Sequence, residues 1–430
     1  MNIALLSSSA CFHQVAQLLE KESTDVYHYG ASRSIQSYGR YTPVHDWLSD
    51  GYIDTQLTNF LNVSKDKHID YVMASGLSAS KNTIIHAELK ARNIPYLFVS
   101  SAVAEIERDK SITKQMLNKL GIPTPKFQKA DGAYLYENFK TIPRPFVVKL
   151  NSVYQHGKQT IVVKDENHRE VFEDLFSLYT TGDPKITNID KKTSLLIEEY
   201  IELKQEYSYH ALFNKSNWQY LGTARDYKKL NDGDTGPNTV SLGCYSVLNV
   251  DSRIHEYAEK IYNFLKIYLG NQQLDHYRGF IFLGIGINQD GVPMILEINT
   301  RGGDPELPAI LGTVENNISD LLYTTSADLP IPQVKHNGKE TVSIRVINRV
   351  YDWTTPASFL PKFENIPNDI LAGFDGGPID HSGQESKLIK HSIFTTTRGS
   401  REEAATRIYN YLDTQHIGQY TYRRDIGFLK

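Results

Sequence analysis

The sequence predicts an α/β fold, with a parallel sheet and its helices first, a larger strand-rich part next, and a small α+β end. Three observations predict it. Short apolar runs alternate with helix-like stretches over roughly the first 100 residues, the pattern of a parallel sheet with crossover helices. The 430 residues exceed one ordinary core. Two apolar runs, 280–287 and 293–299, flank Asn288-Gln289-Asp290-Gly291, which suits a hairpin turn.

The elements follow in order. Residues 2–6 read as a buried strand; they lack the basic leader and long apolar core of a signal peptide. An amphipathic helix begins at 13–19. Runs at 26–29, 69–73 and 96–99 repeat the strand, with a helix at 82–92. A single helix is predicted over 103–120. Gly121-Ile122-Pro123-Thr124-Pro125 stops it, because glycine and proline disfavour its continuation. Strands are expected at 146–149, 159–163 and 194–197, with a helix at 169–179. Further strands fall at 207–213 and 219–224, before a long helix at 252–269. Residues 327–332 (Ala-Asp-Leu-Pro-Ile-Pro) read as a linker, and a strand at 341–346 opens the last part. The helix at 401–411 follows Ser400, an N-cap with Glu403 three residues on.

Composition narrows the function classes. A formal charge of −4 gives no support to a broad nucleic-acid surface. No apolar run approaches membrane-spanning length. Only Cys11 and Cys244 occur, so a disulfide framework is not expected and both read as small buried side chains. A cytoplasmic enzyme without nucleic-acid or membrane partners fits these features.

The strongest chemical segment is Glu297-Ile298-Asn299-Thr300-Arg301-Gly302-Gly303-Asp304-Pro305-Glu306. On a strand, Glu297 and Asn299 share a face, roughly 7 Å apart. Their oxygens suit Mg²⁺, which takes hard oxygen ligands together with nucleotide phosphates. Arg301 beside them suits bidentate contact with phosphate or carboxylate. The plain alternative is a polar strand end with a surface salt bridge. The polar stretch 225–239 reads either as an exposed loop or as a substrate loop. In the second reading its lysines and arginine, Lys228 among them, neutralise phosphate, and Asp226 orients an amine. Lys114, Lys149 and Lys158 are candidates for phosphate, although a single lysine is ordinarily a solvated surface group. Lys149 ends the apolar run Phe146-Val147-Val148, where a buried ammonium needs an anion. Glu198 and Glu199 follow a strand and could flank adenosine, leaving the backbone around Glu199 and Tyr200 to bind the base edge, and Glu206 is placed to bond a ribose.

Several segments together resemble the phosphoribosylamine–glycine ligase (glycinamide ribonucleotide synthetase) family of the ATP-grasp superfamily. They are 225–229, the run from Asp232 to Thr239, the run from Glu297 to Glu306, and Tyr422-Arg423-Arg424-Asp425-Ile426-Gly427. The turn Ile122-Pro123-Thr124 and the run Ile197-Glu198-Glu199-Tyr200 match as well. The resemblance implies an ATP-grasp fold. An N-terminal α/β domain would cover 1–100 and an ATP-grasp domain 101–326, with a mobile lid at about 125–195. A small C-terminal domain would cover 333–430. It also implies ATP and Mg²⁺ as cofactors, with Mn²⁺ as a substitute. Lys114 and Lys149 would then contact phosphates, Glu198, Glu199 and Tyr200 adenine, and Glu206 ribose. Glu297 and Asn299 would hold the metal. Arg301 would bind the acyl phosphate or carboxylate, with Asp226, Lys228 and Asn238 completing the catalytic set.

The departures fall where the amine should sit. The family's glycine-rich turn with its arginine and glutamate is Leu6-Ser7-Ser8-Ser9-Ala10-Cys11-Phe12-His13 here. A second family segment is replaced by Met73-Ala74-Ser75-Gly76-Leu77-Ser78. The expectation is therefore an ATP-dependent carboxylate–amine ligase that works through an acyl phosphate. It would join glycine or another small amino acid to a non-standard amine, a nucleotide-like one included, as a monomer or homodimer. The alternatives are the ordinary phosphoribosylamine–glycine ligase of purine biosynthesis and a non-catalytic nucleotide-binding protein.

Overall fold

Strand β1 (Asn2–Leu6) buries every residue from Ile3 to Leu6, which requires a neighbour on each side. It lies between β2 (Asp25–Tyr29) and β3 (Tyr71–Ala74), with β4 (Tyr96–Leu97) beyond, in a four-stranded parallel sheet ordered β2-β1-β3-β4. Continuous apolar runs are what doubly covered parallel strands demand. Helices α1 (Ala10–Lys21) and α2 (Ala79–Ala91) belong to this unit. The computed structural model describes residues 1–7, 9–22, 24–29, 67–75, 79–98, 101–151, 160–180, 189–271, 277–349, 363–376 and 389–428. The expectations attached to Ser8, residues 76–78 and Lys158 lie outside these residues.

The single helix predicted over 103–120 is two helices, α3 (Ser101–Arg108) and α4 (Lys110–Lys119). Asp109 divides them: its carboxylate accepts from Ser111 N at 2.9 Å and caps α4. Apolar spacing does not register a cap placed inside a periodic run. Next comes a small antiparallel sheet of β5 (Phe127–Asp131), β6 (Phe146–Leu150), β7 (Thr160–Val163) and β8 (Ser194–Glu199), ordered β5-β8-β6-β7. Helix α5 (Gly132–Asn138) joins it. The helix expected at 169–179 is split into α6 (His168–Leu175) and α7 (Ser177–Thr180). This unit has its own core, including Leu135, Phe139, Val148 and Phe176.

The large sheet contains β9 (Leu203–Phe213) and β10 (Trp218–Asp226). The polar stretch after β10 forms a separate hairpin of β11 (Lys229–Asn231) and β12 (Thr235–Asn238) rather than an open loop. The sheet resumes with β13 (Gly243–Val247). After α8 (Ser252–Asn271) come β14 (Gly279–Asn288) and β15 (Pro293–Asn299), joined by the expected tight turn. Helices α9 (Glu306–Leu311) and α10 (Ile318–Ser326) follow, then β16 (Glu340–Asn348), β17 (Leu371–Gly376) and β18 (Ile389–Arg398). Helix α11 (Arg401–Leu412) starts at Ser400, whose hydroxyl accepts from Glu403 N, and β19 (Tyr420–Thr421) pairs with β16. The order is β15-β14-β9-β10-β13-β16-β18-β17. The β13–β16 pairing continues one sheet across residues 327–332.

Helix α1 binds the N-terminal unit to the far end of this sheet. Gln14 Nε2 donates to Leu371 O at 3.0 Å and to Ile393 O at 2.7 Å, and its Oε1 accepts from Thr395 Oγ1 at 2.9 Å. Gln17 exchanges two hydrogen bonds with the backbone of Ala372. Glu22 accepts from Ile318 N at 2.7 Å and Ser319 N at 2.9 Å, placing a carboxylate on the N-terminus of α10. Gly373 permits the close approach, since a Cβ there would lie 2.0 Å from Ala10 O. Cys11 and Cys244 are both buried. Among the described residues no helix is long and apolar enough to cross a membrane.

Gln14→Ala would leave the Leu371 and Ile393 carbonyls buried without their side-chain donor. The expected loss is about 2–4 kcal/mol, from the penalty of unmade buried hydrogen bonds, read by urea unfolding.

Candidate active site

Strand pairing brings the first cluster together. Val147 lies opposite Glu198 in the β6–β8 ladder, so Lys149 and Glu198 share a face as diagonal neighbours. Lys149 Nζ is 3.0 Å from Glu198 Oε2. From α4, Lys114 Nζ reaches Glu198 Oε1 at 3.2 Å and donates to Thr124 Oγ1 at 2.7 Å. All three side chains are buried. Burial and the Lys149 charge bring the Lys114 ammonium down to about 7, with Glu198 opposing them. The cluster also joins the small sheet to the large one. Lys149 Nζ donates to Leu296 O at 3.2 Å, and Thr124 Oγ1 donates to Ile295 O at 2.8 Å.

The second cluster lies at the end of β15. Gly284 faces Glu297 across the β14–β15 ladder, and a Cβ there would come within 2.8 Å of Glu297 Cγ. Burial pushes the Glu297 carboxyl up, but Lys228, Lys149 and Lys110, with the Asn299 amide, outweigh it and hold it at about 2. Lys110 itself is lowered by burial, and its Nζ donates to Leu150 O at 3.0 Å. Lys228 Nζ lies 2.7 Å from Glu206 Oε2 and 3.9 Å from Asp226 Oδ2. Burial would lower Lys228, yet Glu206, Asp226 and Glu297 raise it, so it stays an ammonium. Arg301 is held by Glu107 of α3, Nε to Oε1 at 2.9 Å, and Glu107 Oε2 also accepts from Thr300 N at 3.0 Å.

The glycine turn leads to a third, buried group. Gly303 N donates to His210 Nε2 at 3.0 Å, and burial pushes that imidazole down to about 3, so it is neutral and can accept. Asp304 pairs with Arg345, and Cys11 Sγ faces Gly303 O at 3.6 Å. Burial, Asp226 and Asp304 push the Glu306 carboxyl up to about 8. Glu306 Oε2, Asp226 Oδ1 and Arg345 Nε are buried without hydrogen-bond partners. The site thus has a lysine-rich side and a side with unpartnered acid oxygens, and Arg301 enters between them.

The structure brings together Lys114, Lys149, Glu198, Glu206, Asp226, Lys228, Glu297, Asn299 and Arg301. Some placements differ from the sequence reading. The Glu198 carboxylate points at the lysines, and Glu206 is paired with Lys228. Glu199 Oε1 accepts from Lys126 N at 2.8 Å, and its own N–H donates to Lys126 O, so both serve β-pairing. Tyr200 carries Lys164 over its ring at 5.6 Å. Asn238 lies in β12, opposite Lys229 in the hairpin. Sequence reasoning missed Lys110, Glu107, His210 and Arg345. Lys110 had a signal, because it precedes Lys114 by one helical turn on the same face. The others are contributed by distant elements and have none.

The donor set at β15 fits a small hard cation. Glu297 is ionised, Asn299 lies two residues on along the same strand, and the lysines beside them suit phosphate oxygens. Among the described residues no group of three or more His, Cys, Asp or Glu could hold a metal alone. Mg²⁺ held by Glu297 and Asn299 would keep positions for water or phosphate oxygens.

Residues 108–307 match the phosphoribosylglycinamide synthetase family, ATP-grasp (A) domain. This segment is similar to the ATP-grasp domain of that family. The relatives extend the likeness beyond it. The phosphoribosylamine–glycine ligase of Leptospira interrogans serovar Lai is 26% identical over 351 residues, covering 78% of each chain. That of Vibrio parahaemolyticus is 25% identical over 409 residues, covering 90% of each. Among solved structures, the Thermotoga maritima phosphoribosylamine–glycine ligase superposes with a TM-score of 0.73 at 24% identity, covering 99% of this chain and 100% of that one. Biotin carboxylase from Campylobacter jejuni superposes at 0.65 with 15% identity, covering 99% and 94%. The expected fold, an α/β ATP-grasp fold, is therefore present. The chain is an ATP-dependent C–N bond-forming ligase of the ATP-grasp class.

Two outcomes are expected. Glu198→Gln removes the anion shared by two buried lysines and should cost about 3–5 kcal/mol in chemical unfolding, the usual loss when one partner of a buried pair is deleted. Glu306 keeps its proton to about 8 when folded, against an ordinary 4.5. The folded state therefore binds more protons in that window, and stability falls as pH rises through it. Glu306→Gln should flatten that slope in unfolding curves taken across the window, so it gains on the wild type as pH rises.

Proposed function

We propose that the chain joins the carboxylate of glycine to the amine of phosphoribosylamine, driven by ATP with Mg²⁺. The observation that carries this reading is the two-sided site at the end of β15. One side gathers Lys110, Lys114, Lys149 and Lys228 around an ionised Glu297. The other offers buried Asp226 and Glu306 oxygens beside Arg345. ATP with Mg²⁺ supplies the phosphoryl group that turns the carboxylate into an acyl phosphate, from which phosphate leaves as the amine attacks. Glu297 and Asn299 hold the metal, and Lys114 and Lys149 neutralise phosphate oxygens. Lys228, which remains charged between Glu206 and Asp226, faces the transferred group. Arg301, fixed by Glu107, orients the carboxylate. The Asp226 and Glu306 oxygens receive the ammonium end of the amino acid. Most of the catalytic advantage in such a transfer is alignment and charge neutralisation, and exclusion of water protects the acyl phosphate.

The names of the relatives favour phosphoribosylamine over the non-standard amine expected from the sequence. A second reading keeps another acceptor, on one observation. After β1, Ser9 Oγ accepts from Phe12 N at 3.2 Å and Ser7 Oγ accepts from Ser9 N at 3.2 Å, so both oxygens serve their own backbone.

ADP release and product mass, measured with glycine against phosphoribosylamine and a panel of other amines, decide between them. The proposed reading expects product with phosphoribosylamine. Product only with a different amine would put the second reading in its place. Glu297→Ala should lower turnover by about 100- to 1,000-fold, the scale of losing one preorganised electrostatic group. Lys114→Ala should chiefly raise the KM for ATP.

A further inference from the structure

The motif Tyr422–Gly427 has no role in the site described above, yet it reaches the chain on both sides of Lys228. Arg423 is buried and splits its guanidinium among four acceptors. Nη1 donates to Lys229 O at 3.0 Å and to Asp234 Oδ1 at 2.8 Å. Nε and Nη2 fork onto Asp425 at 2.8 and 2.6 Å. The same guanidinium lies over the Tyr227 ring at 4.8 Å. Arg423 therefore touches the residue before Lys228 and the residue after it.

Neighbouring contacts close the clasp. Gly233 N donates to Asp425 Oδ2 at 2.9 Å, and Arg424 N donates to Asp232 Oδ1 at 2.9 Å, so the hairpin tip is tied down as well. A second guanidinium, that of Arg225, lies over the Tyr227 ring at 5.1 Å. Arg225 also lies 6.0 Å from the Tyr245 ring, over which Arg401 sits at 4.7 Å. Guanidinium and phenol rings thus alternate from the chain end to the start of α11, each contact a favourable cation–π pair. The Lys228 carbonyl accepts from Thr239 N at 2.7 Å and Thr239 Oγ1 at 2.9 Å, which closes the base of the hairpin. Among the described residues, β11 and β12 pair in a sheet only with each other.

We propose that Arg423 is a positioning residue, which clamps residues 227 and 229 and thereby sets the place of the Lys228 ammonium in the site. The inference rests on the role given to Lys228 in the proposed function. A planar fork suits the job, since the bonds go to four acceptor oxygens and a lysine ammonium has only three donors. The final turn of the chain, outside the matched ATP-grasp segment, completes the site from behind.

Two measurements on the full chain test this. The first is amide hydrogen exchange, which needs no substrate. Arg423→Gln should speed exchange at Gly233 and Thr239 while leaving Ile295, on β15, as in the wild type; unchanged exchange at Gly233 and Thr239 overturns the proposal. The second is ADP release with glycine and phosphoribosylamine. Arg423→Gln should lower kcat by about 10- to 100-fold, the scale of a small misplacement, with the KM for ATP unchanged. Combined with Lys228→Met, it should add nothing to the loss from Lys228→Met alone, and an equal loss in both backgrounds overturns the proposal. Asp234→Asn, at a half-exposed carboxylate, removes only one contact and should show a smaller effect of the same pattern. It serves if Arg423→Gln does not fold, and full turnover and wild-type exchange in it then overturn the proposal. No turnover by the wild type would count against the proposed substrates, and exchange would still decide the clamp.

Discussion

One buried carboxylate, Glu198, is shared by two buried ammonium groups that arrive from different elements, Lys114 from α4 and Lys149 from β6. An isolated charge in that position would be expelled or neutralised. The triad is tolerated because each member satisfies the others, and because Thr124 and the Leu296 carbonyl take remaining donors. The consequence is geometric. Helix α4, the small sheet and β15 must come together for any one of these charges to be buried, so the site and the fold have the same requirement. The arrangement also leaves a net positive field on the side facing Glu297, which explains how that half-buried carboxyl stays ionised.

Beyond that field the sign reverses. Asp226, Asp304 and Glu306 crowd together, Asp304 against Arg345 and Asp226 3.9 Å from Lys228, and burial with the neighbouring acids keeps the proton on Glu306. A site graded from lysines to acids would hold a zwitterion such as the proposed glycine in one direction. Glu107, from a helix outside the large sheet, fixes Arg301 at the boundary between the two signs. Neutral His210 fixes the glycine turn from below.

Local patterns were legible in the sequence because they depend on neighbours along the chain. The β15 strand with its alternating Glu297 and Asn299, the turn at Asn288, and the Ser400 cap all have local causes. The break at Asp109 was missed because a capping carboxylate inside a periodic run leaves the apolar spacing intact. The hairpin at 229–238 was read as a loop because its strands bury little and are held by residues almost 200 positions away, Arg423 and Asp425. The site was legible in membership more than in partnership. Glu198 and Glu206 could be singled out as acids after a strand, but only the folded pairing shows that each sits against a lysine.

The grip of α1 on β17 and β18 bears on modularity. Gln14 and Gln17 are bonded to main-chain groups of the C-terminal strands, and Glu22 caps α10. The first and last parts of the chain therefore behave as one body, despite lying more than 350 residues apart. A graft that replaced the N-terminal unit would lose these bonds unless the incoming helix carried equivalent glutamines. If the turns after β1 hold the proposed amine, a change of acceptor by recombination would be confined to those turns rather than extend to whole units.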